Sequence, residues 1–537
     1  MDLLLTNGIV RTMDSSGTVA EAIAIGEGTI RAIGTDSALS TVPAATVIDL
    51  GGKAVIPGLI DGHTHLEGTA THLAYFADCH VPPHRDIPGI LGALREHADA
   101  HPEAEWVIGQ GSFMLREKLL ERRYPTLSEM DEAVPDRPAL IRAGAHISIV
   151  NSAALERVGV DKPGFKLPTG AHIERDSAGK PTGMLVEMYW SLGLGRFSAA
   201  ETESAIERLA RQFSAYGITS VQDQFPSAAG LRAYQRLRRE GRFPLRISFT
   251  VHTPTPEAAR NFVTFGFESG FGDDFLKFGA AKFFVDGGIT GAAGAFYDDY
   301  SHQPGNKGHL KLQRDEVFEM VRLLDDAGIQ ISTHVVGDLA LDTLLDAYEA
   351  HPASWGKRHR LEHAGHLCMN EERISRMKGM GLVPVVTMPF LNSFGDFLPE
   401  YLGDRAQGAF ALRRLLDAGL TVPGSSDSLG AQPESLNPWF GMWCSVARET
   451  YLGGKLAPEE AVSPLEALGT YTFAPAWADH AEHVTGTLEI GKAADLVVLD
   501  RDPATMDAAA LKEVRPLATL LAGEVVSGAL LPEGIGD

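Results

Sequence analysis

Eight apolar, strand-like runs recur along the centre of this chain, and stretches of helical character separate them. In order they are AVIPGLIDGHTH, ITSVQD, LRISFTVH, LKFGAAKFFVDG, IQISTHVV, RHRLEHA, LVPVVTMP and TVPGSSDS. Strands that alternate with helices make a parallel sheet covered on its faces. Eight of them fit a closed (β/α)8 barrel, assigned here to residues 57–483. One connection breaks the rhythm. Between the first and second runs lie roughly 150 residues, far beyond an ordinary strand-to-helix link. Residues 72–214 are therefore read as an insertion after the first barrel strand, with structure of its own, covering the barrel mouth.

The ends of the chain have a different texture. LLLTNGIVRTM, AEAIAIGEGTIRAIG and TVIDLGGKAVIPG alternate apolar and polar positions between Asn-Gly and Gly-rich breaks, and GTLEIGKAADLVVLD and LATLLAGEVVSG resume that pattern near the C-terminus. Short strands with turn signals between them make antiparallel sheet. Residues 1–56 and 484–537 are accordingly expected to form one small β domain into which the barrel is inserted. The fold class is α/β.

Composition narrows the function. Lys and Arg number 47 against 70 Asp and Glu, a net charge of −23, and such a surface repels nucleic acid. No apolar run is long enough to cross a bilayer, and MDLLLTNGIV lacks the basic start and apolar core of a secretory signal. A cytoplasmic enzyme with a small-molecule substrate is the default reading, and a homodimer is the commonest assembly for such a chain. Cys79, Cys368 and Cys444 lie far apart and show no C-x-x-C spacing, so reduced buried thiols are expected.

Metal-capable residues recur at the ends of the strand runs. After the first run comes Asp61-Gly62-His63-Thr64-His65. Residues two apart in a strand share a face, so both imidazoles can reach one ion. Alone this means little, because with 19 histidines a His-x-His arises by chance about once in two such chains. The weight comes from Lys282, His334, His363 and Asp427, each at the end of a separate later run. A barrel delivers such residues to one mouth. Imidazoles and a carboxylate suit zinc and similar borderline metals, and a bound dication lowers the pKa of water to about 7. Asp427 is the candidate base that takes the proton from that water and passes it to a leaving nitrogen. His334 or the metal would polarise the scissile carbonyl. Lys282 must act deprotonated, as a carbamate formed with CO2, or by pairing an anion; the alternative is a lysine paired to Asp286 or another acid.

The remaining histidines read as ordinary. His72, His80, His84, His101, His351, His359 and His480 lie in polar or loop-like segments and are expected at the surface, with His366 supporting His363. In the insertion, His146 and Glu187 are candidates for touching substrate. Phe113, Met114, Trp190, Phe225, Met388, Phe390 and Trp439 are candidates for an apolar pocket or for the core.

The ordered set VIPGLIDGHTHLEG, GITSVQD, KFFVDGG, THVVGDLAL, RLEHAGH, SSDSLG and GTLEIGKAADLVVLD resembles the amidohydrolase superfamily. NSAAL followed by GKPTGMLVE resembles the insertion of its amidohydrolase-3 (YtcJ-like) branch, which includes N-substituted formamide deformylases. The resemblance covers essentially the whole chain. It implies a distorted TIM barrel beside a small β-sandwich made from both termini. It also implies metal ligands at His63, His65, His334 and His363, with Asp427 as ligand and base and Lys282 as a bridging carboxylysine. One or two divalent ions per chain, zinc first among them, would follow. His334-Val-Val-Gly-Asp338 lacks the adjacent acid of nucleobase deaminase relatives, which disfavours deamination. The expected activity is hydrolysis of a non-peptide C–N bond (amide, formamide, carbamate or cyclic imide) by metal-activated hydroxide. Ester or lactone cleavage on the same site is the nearest alternative, and a non-catalytic binding protein a more distant one.

Overall fold

The computed structural model describes residues 1–168 and 171–530, except for the side chain of Trp190. Its centre is a nearly closed barrel of seven parallel strands: β1 (Leu59–Thr64), β2 (Ile218–Asp223), β3 (Arg246–His252), β4 (Leu276–Phe284), β5 (Gln330–His334), β6 (Arg360–Glu362) and β7 (Val383–Val385). Each strand pairs in parallel with the next, in sequence order from β1 to β7. Every residue of β1, β2, β5, β6 and β7 is buried, the polar Asp61, His63, Gln222, Asp223, His334 and Glu362 included.

The eighth expected strand is not regular. Val386 N–H donates to Pro423 O and Gly62 N–H to Gly424 O, both at 3.0 Å, so the segment does sit between β7 and β1. Pro423 has no N–H to give a ladder, and Gly424 makes only a single bridge, to Val386. The barrel therefore closes through a few bonds. That irregular passage leads directly to Asp427.

Helices cover the barrel as the apolar spacing requires. Leu66–Tyr75 (α1) follows β1, and Ala199–Ala215 (α2) precedes β2. A Ser198–Glu201 capping box starts α2, and it buries Ala205, Ile206, Leu209, Ala210 and Phe213 in the barrel's core cluster. The stretch 72–214 thus takes in the end of α1 and nearly all of α2. Between these helices lies a six-stranded mixed sheet running from Ala77–Asp78 to Pro181–Val186, with its own core of Ile90, Leu94, Val107, Met130, Ile141 and Ile149.

The two ends of the chain meet. Leu3–Thr6, Ala22–Gly26, Thr29–Gly34 and Thr46–Asp49 form one sheet. A second sheet joins Ile9–Arg11, Val19–Ala20 and Ala54–Pro57 to Leu496–Leu499, Ala518–Leu521 and Glu524–Gly528 from the far end. Leu5, Ile23, Ile25, Val55, Leu496, Val498 and Leu520 belong to one core cluster between them. The chain passes into the barrel at Gly58, where a Cβ would lie 2.2 Å from Thr219 Oγ1. Only glycine allows that approach. Among the described residues no helix is long and apolar enough to cross a membrane.

A buried ion pair ties the terminal sheet to the barrel. Arg246 Nε and Nη2 reach the two oxygens of Asp495 at 2.6 and 3.0 Å, and Asp495 also accepts from Ala522 N–H. Removing one partner strands the other charge in the interior. Asp495→Ala is therefore expected to destabilise the protein by about 3–5 kcal/mol, read as a lower denaturant midpoint. An unchanged midpoint would show that water replaces the carboxylate freely.

Candidate metal centre

At the C-terminal mouth of the barrel a cavity of about 470 Å³ is lined by His63, His65, Lys282, His334, His363 and Asp427. Five strand ends deliver them. His63 lies in β1, and His65 is the residue from which α1 starts. Lys282 lies in β4 and His334 closes β5, where the register sets Phe284 beside His334 and His334 beside Glu362. His363 follows β6, and Asp427 follows the irregular eighth segment. His363 and Asp427 have left-handed backbones, φ 74° and 42°. Such conformations in non-glycine residues persist where the surroundings hold them, and they concentrate at functional sites.

Asp427 is the hub. Its Oδ1 lies 3.3 Å from His65 Nε2 and 3.6 Å from His63 Nε2, and its Oδ2 lies 3.7 Å from His363 Nε2. Ligand atoms of His63, His363 and Asp427 all fall within 4.8 Å of one another, close enough to hold one metal ion. The His334 and His363 rings stand 4.8 Å apart. Main-chain N–H of Asp427 donates to His63 O at 2.9 Å, which fixes the eighth segment to the His-x-His strand.

Hydrogen bonds decide which ring nitrogens are free. His63 Nδ1 donates to Glu362 Oε2 at 2.6 Å, leaving the Nε2 lone pair on the Asp427 side. His334 Nε2 lies 3.4 Å from Gly287 O and donates to it, leaving Nδ1. Outer partners of this kind set the tautomer and aim of metal-binding histidines. His366 is different. Its Nε2 accepts Thr387 N–H at 2.8 Å, and its ring packs against Phe390 and Phe410.

The electrostatics favour neutral imidazoles and an ionised carboxylate. Burial, reinforced by Lys282, pushes His63 down to about 4 against the pull of Glu362 and Asp427. Burial also holds His334 and His363 well below the usual range. For Asp427 burial opposes ionisation, but His63, His65 and His363 outweigh it and keep the carboxyl well below its ordinary value. Burial lowers Lys282 to about 8, with Glu362 and Asp427 resisting. Its Nζ is enclosed, and among the described residues it has no hydrogen-bond partner. Asp286, the acid considered for it, accepts instead from the N–H groups of Ala295, Val336 and Gly337. An orphaned buried amine beside imidazole lone pairs and a carboxylate fits a site for a divalent cation.

The insertion supplies the facing wall. His146 and Glu187 line the cavity, joined by His146 Nδ1 to Glu187 Oε1 at 2.7 Å, together with Phe113, Phe225 and Leu429. Phe390, with Phe113, Phe394, Leu398 and Phe410, lines an adjoining apolar recess of about 60 Å³. Met114 and Met388 line neither space; both are buried in the barrel's core cluster. Trp439 is also core, its indole N–H bonded to Tyr216 O. The side chain of Trp190 lies outside the described residues.

Several residues stand where the sequence did not place them. Glu362 is fully buried and takes bonds from His63, Arg360 and Ser332. Two charged residues in a buried three-residue strand, Arg360-Leu361-Glu362, were its signal. Lys311, His252 and Phe284 line the cavity from loops and strand ends that carry no spacing pattern. His72, His80 and His359 are buried, not exposed. His72 stacks on Phe76 beneath Arg142, while His359 bridges Ile331 N–H and Asp325. The thiols of Cys79 and Cys444 are buried and free, and Cys368 is half-buried.

The sequence profile of the amidohydrolase family matches residues 46–527. An N-substituted formamide deformylase of Arthrobacter pascens is 32% identical over 549 residues, covering 97% of each chain. A Bacillus subtilis protein named as an amidohydrolase, YtcJ, is 29% identical, covering 98% of this chain and 99% of its own. Among solved structures, an uncharacterized metal-dependent hydrolase from Pyrococcus horikoshii superposes with a TM-score of 0.74 at 22% identity, over 94% of this chain and 99% of that one. At that identity the likeness speaks for the fold.

Proposed function

The chain belongs to the amidohydrolase family, and from that premise we propose that it is a divalent-metal-dependent hydrolase of non-peptide C–N bonds in small molecules. The observation that carries this is the convergence on one cavity of His63, His65, His334, His363, Asp427 and Lys282, whose buried amine has no hydrogen-bond partner among the described residues. In this reading His63, His65, His334 and His363 would hold the metal with Asp427, and Lys282, once its amine had taken up CO2, would supply carboxylate oxygens to a second ion. Zinc suits the donor set. When bound, the metal supplies an acidified water and a Lewis acid for the carbonyl.

The protein's own part follows from the geometry. Asp427, kept ionised by three imidazoles, receives the proton of the attacking water. It then returns that proton to the departing nitrogen, so the carboxylate ends unchanged. His334, its Nε2–H turned to Gly287 O, would keep Nδ1 for the metal, whose Lewis acidity would polarise the carbonyl. Glu362 fixes the His63 ring. Phe113, Phe225, Phe284 and Leu429 keep bulk water from the reacting carbon and receive an apolar substituent. The formamide deformylase likeness supports formamides as the first substrates to try.

The test is a panel of N-substituted formamides, carbamates and cyclic imides, offered to protein reconstituted with zinc or manganese. Turnover of at least one C–N substrate is expected, lost on treatment with a chelator and restored by the metal. Turnover that survives exhaustive chelation, or none on the panel with the metal bound, would overturn the proposal.

A further inference from the structure

Glycine at position 288 has no conformational reason to be there. Its backbone is ordinary extended chain, φ −82° and ψ 155°, which any residue adopts. The reason is spatial: a Cβ would stand 2.4 Å from His146 Nε2 and 2.8 Å from its Cδ2. The His146 ring therefore lies directly against the main chain at Gly288. The preceding residue, Gly287, holds His334 through its carbonyl. Adjacent Cα atoms are about 3.8 Å apart, so the loop after β4 sets His146 Nε2 close beside His334, at the edge of the metal-binding set. His146 lines both the main cavity and the apolar recess.

The tautomer of that ring is set from behind. His146 Nδ1 is 2.7 Å from Glu187 Oε1, and Glu187 N–H donates to His146 O at 2.7 Å. Lys311 Nζ stands 3.7 Å from the other carboxylate oxygen. Burial alone would raise the Glu187 carboxyl, but His146 and Lys311 outweigh it and hold it down to about 2. An ionised carboxylate only accepts, so His146 Nδ1 carries the proton. Glu187 keeps this position on a left-handed backbone, φ 55°. With Nδ1–H committed to Glu187, Nε2 is the ring nitrogen left to this cavity-lining side chain, beside Gly288.

We propose that His146 Nε2 accepts the N–H of the scissile group, so that the site is built for secondary amides and discriminates against esters and N,N-disubstituted amides. Glu187 and Lys311 are positioning residues for that acceptor, and Gly288 is the space it needs. This rests on the hydrolase reading above and narrows it from C–N bonds in general to those whose nitrogen bears a hydrogen. A site that hydrogen-bonds a substrate N–H rejects the analogue without it because its own polar group is left unpaired.

The probes are N-benzylformamide and its oxygen isostere benzyl formate. Comparing variants on each probe cancels the intrinsic reactivity of the ester. His146→Ala and Gly288→Ala are each expected to lower kcat/KM on the formamide by about 10–100-fold. The ester should change less than about threefold, with metal content unaltered. The double variant should be no worse than His146→Ala alone, because Gly288→Ala acts by displacing a ring that is no longer there. Equal losses on both probes, losses that multiply in the double variant, or no loss on the formamide would overturn the assignment. Wild-type protein inactive on the formamide would overturn the hydrolase reading for that class and this inference with it. An active wild type with indifferent variants overturns the inference alone.

Discussion

Asp427→Asn is expected to lower kcat by about 10³–10⁴-fold, the upper part of the range for a general acid–base group. Asparagine matches aspartate in size and tolerates the left-handed backbone found at this position, φ 42°. The main-chain bond from residue 427 to His63 O does not involve the side chain and persists. What changes is the charge that His63, His65 and His363 surround. An amide neither takes a proton from water nor carries one to a leaving nitrogen. The check is kcat measured on metal-replete protein, with the melting temperature and metal content followed in parallel. A variant keeping more than about a tenth of wild-type kcat would remove Asp427 from the role of base.

Lys282→Met should separate stability from activity. The wild-type amine is buried without a hydrogen-bond partner among the described residues, a costly arrangement if it served packing alone. Methionine fills similar space with apolar atoms, so the fold is expected to hold or gain stability. On the proposed two-metal reading, activity should nevertheless fall by about 10²-fold or more. Metal content should drop from two ions per chain to one. Protein equilibrated with ¹³C-bicarbonate should show a carbamate resonance that Lys282→Met lacks. An active Lys282→Met enzyme with unchanged metal content would show that the lysine plays no part in the centre.

The sequence disclosed the barrel because strand-like runs alternate with helical stretches along its centre, the pattern of a parallel sheet covered by helices. It disclosed the mouth residues because a barrel brings strand ends together wherever they fall in the chain. The eighth strand was harder. TVPGSSDS looks like its predecessors, yet around Pro423 and Gly424 it joins its neighbours through one isolated bridge and a few separate bonds rather than a regular ladder. Glu362 escaped notice because its value lies in a partner 299 positions away, His63, and no local spacing encodes that. The pocket was least legible. Phe113 and Met114 are neighbours in sequence, and only the packing of the insertion sends one to the cavity and the other to the core alone. His72 and His359 sit in polar stretches, but the insertion and the strand bases close over them. Gly288 and His146 lie in different structural units, so only the folded chain reveals that one makes room for the other.

A metal ion at the barrel mouth would be visible in an anomalous difference map from crystals of the active, zinc-loaded enzyme. The predicted result is a peak within coordination distance, about 2.0–2.2 Å, of ring nitrogens of His63 and His65 and of an Asp427 oxygen. A second peak is predicted beside Lys282, within reach of His334 and His363. Active crystals with no peak at these residues would show that the hydrolysis needs no metal at this mouth.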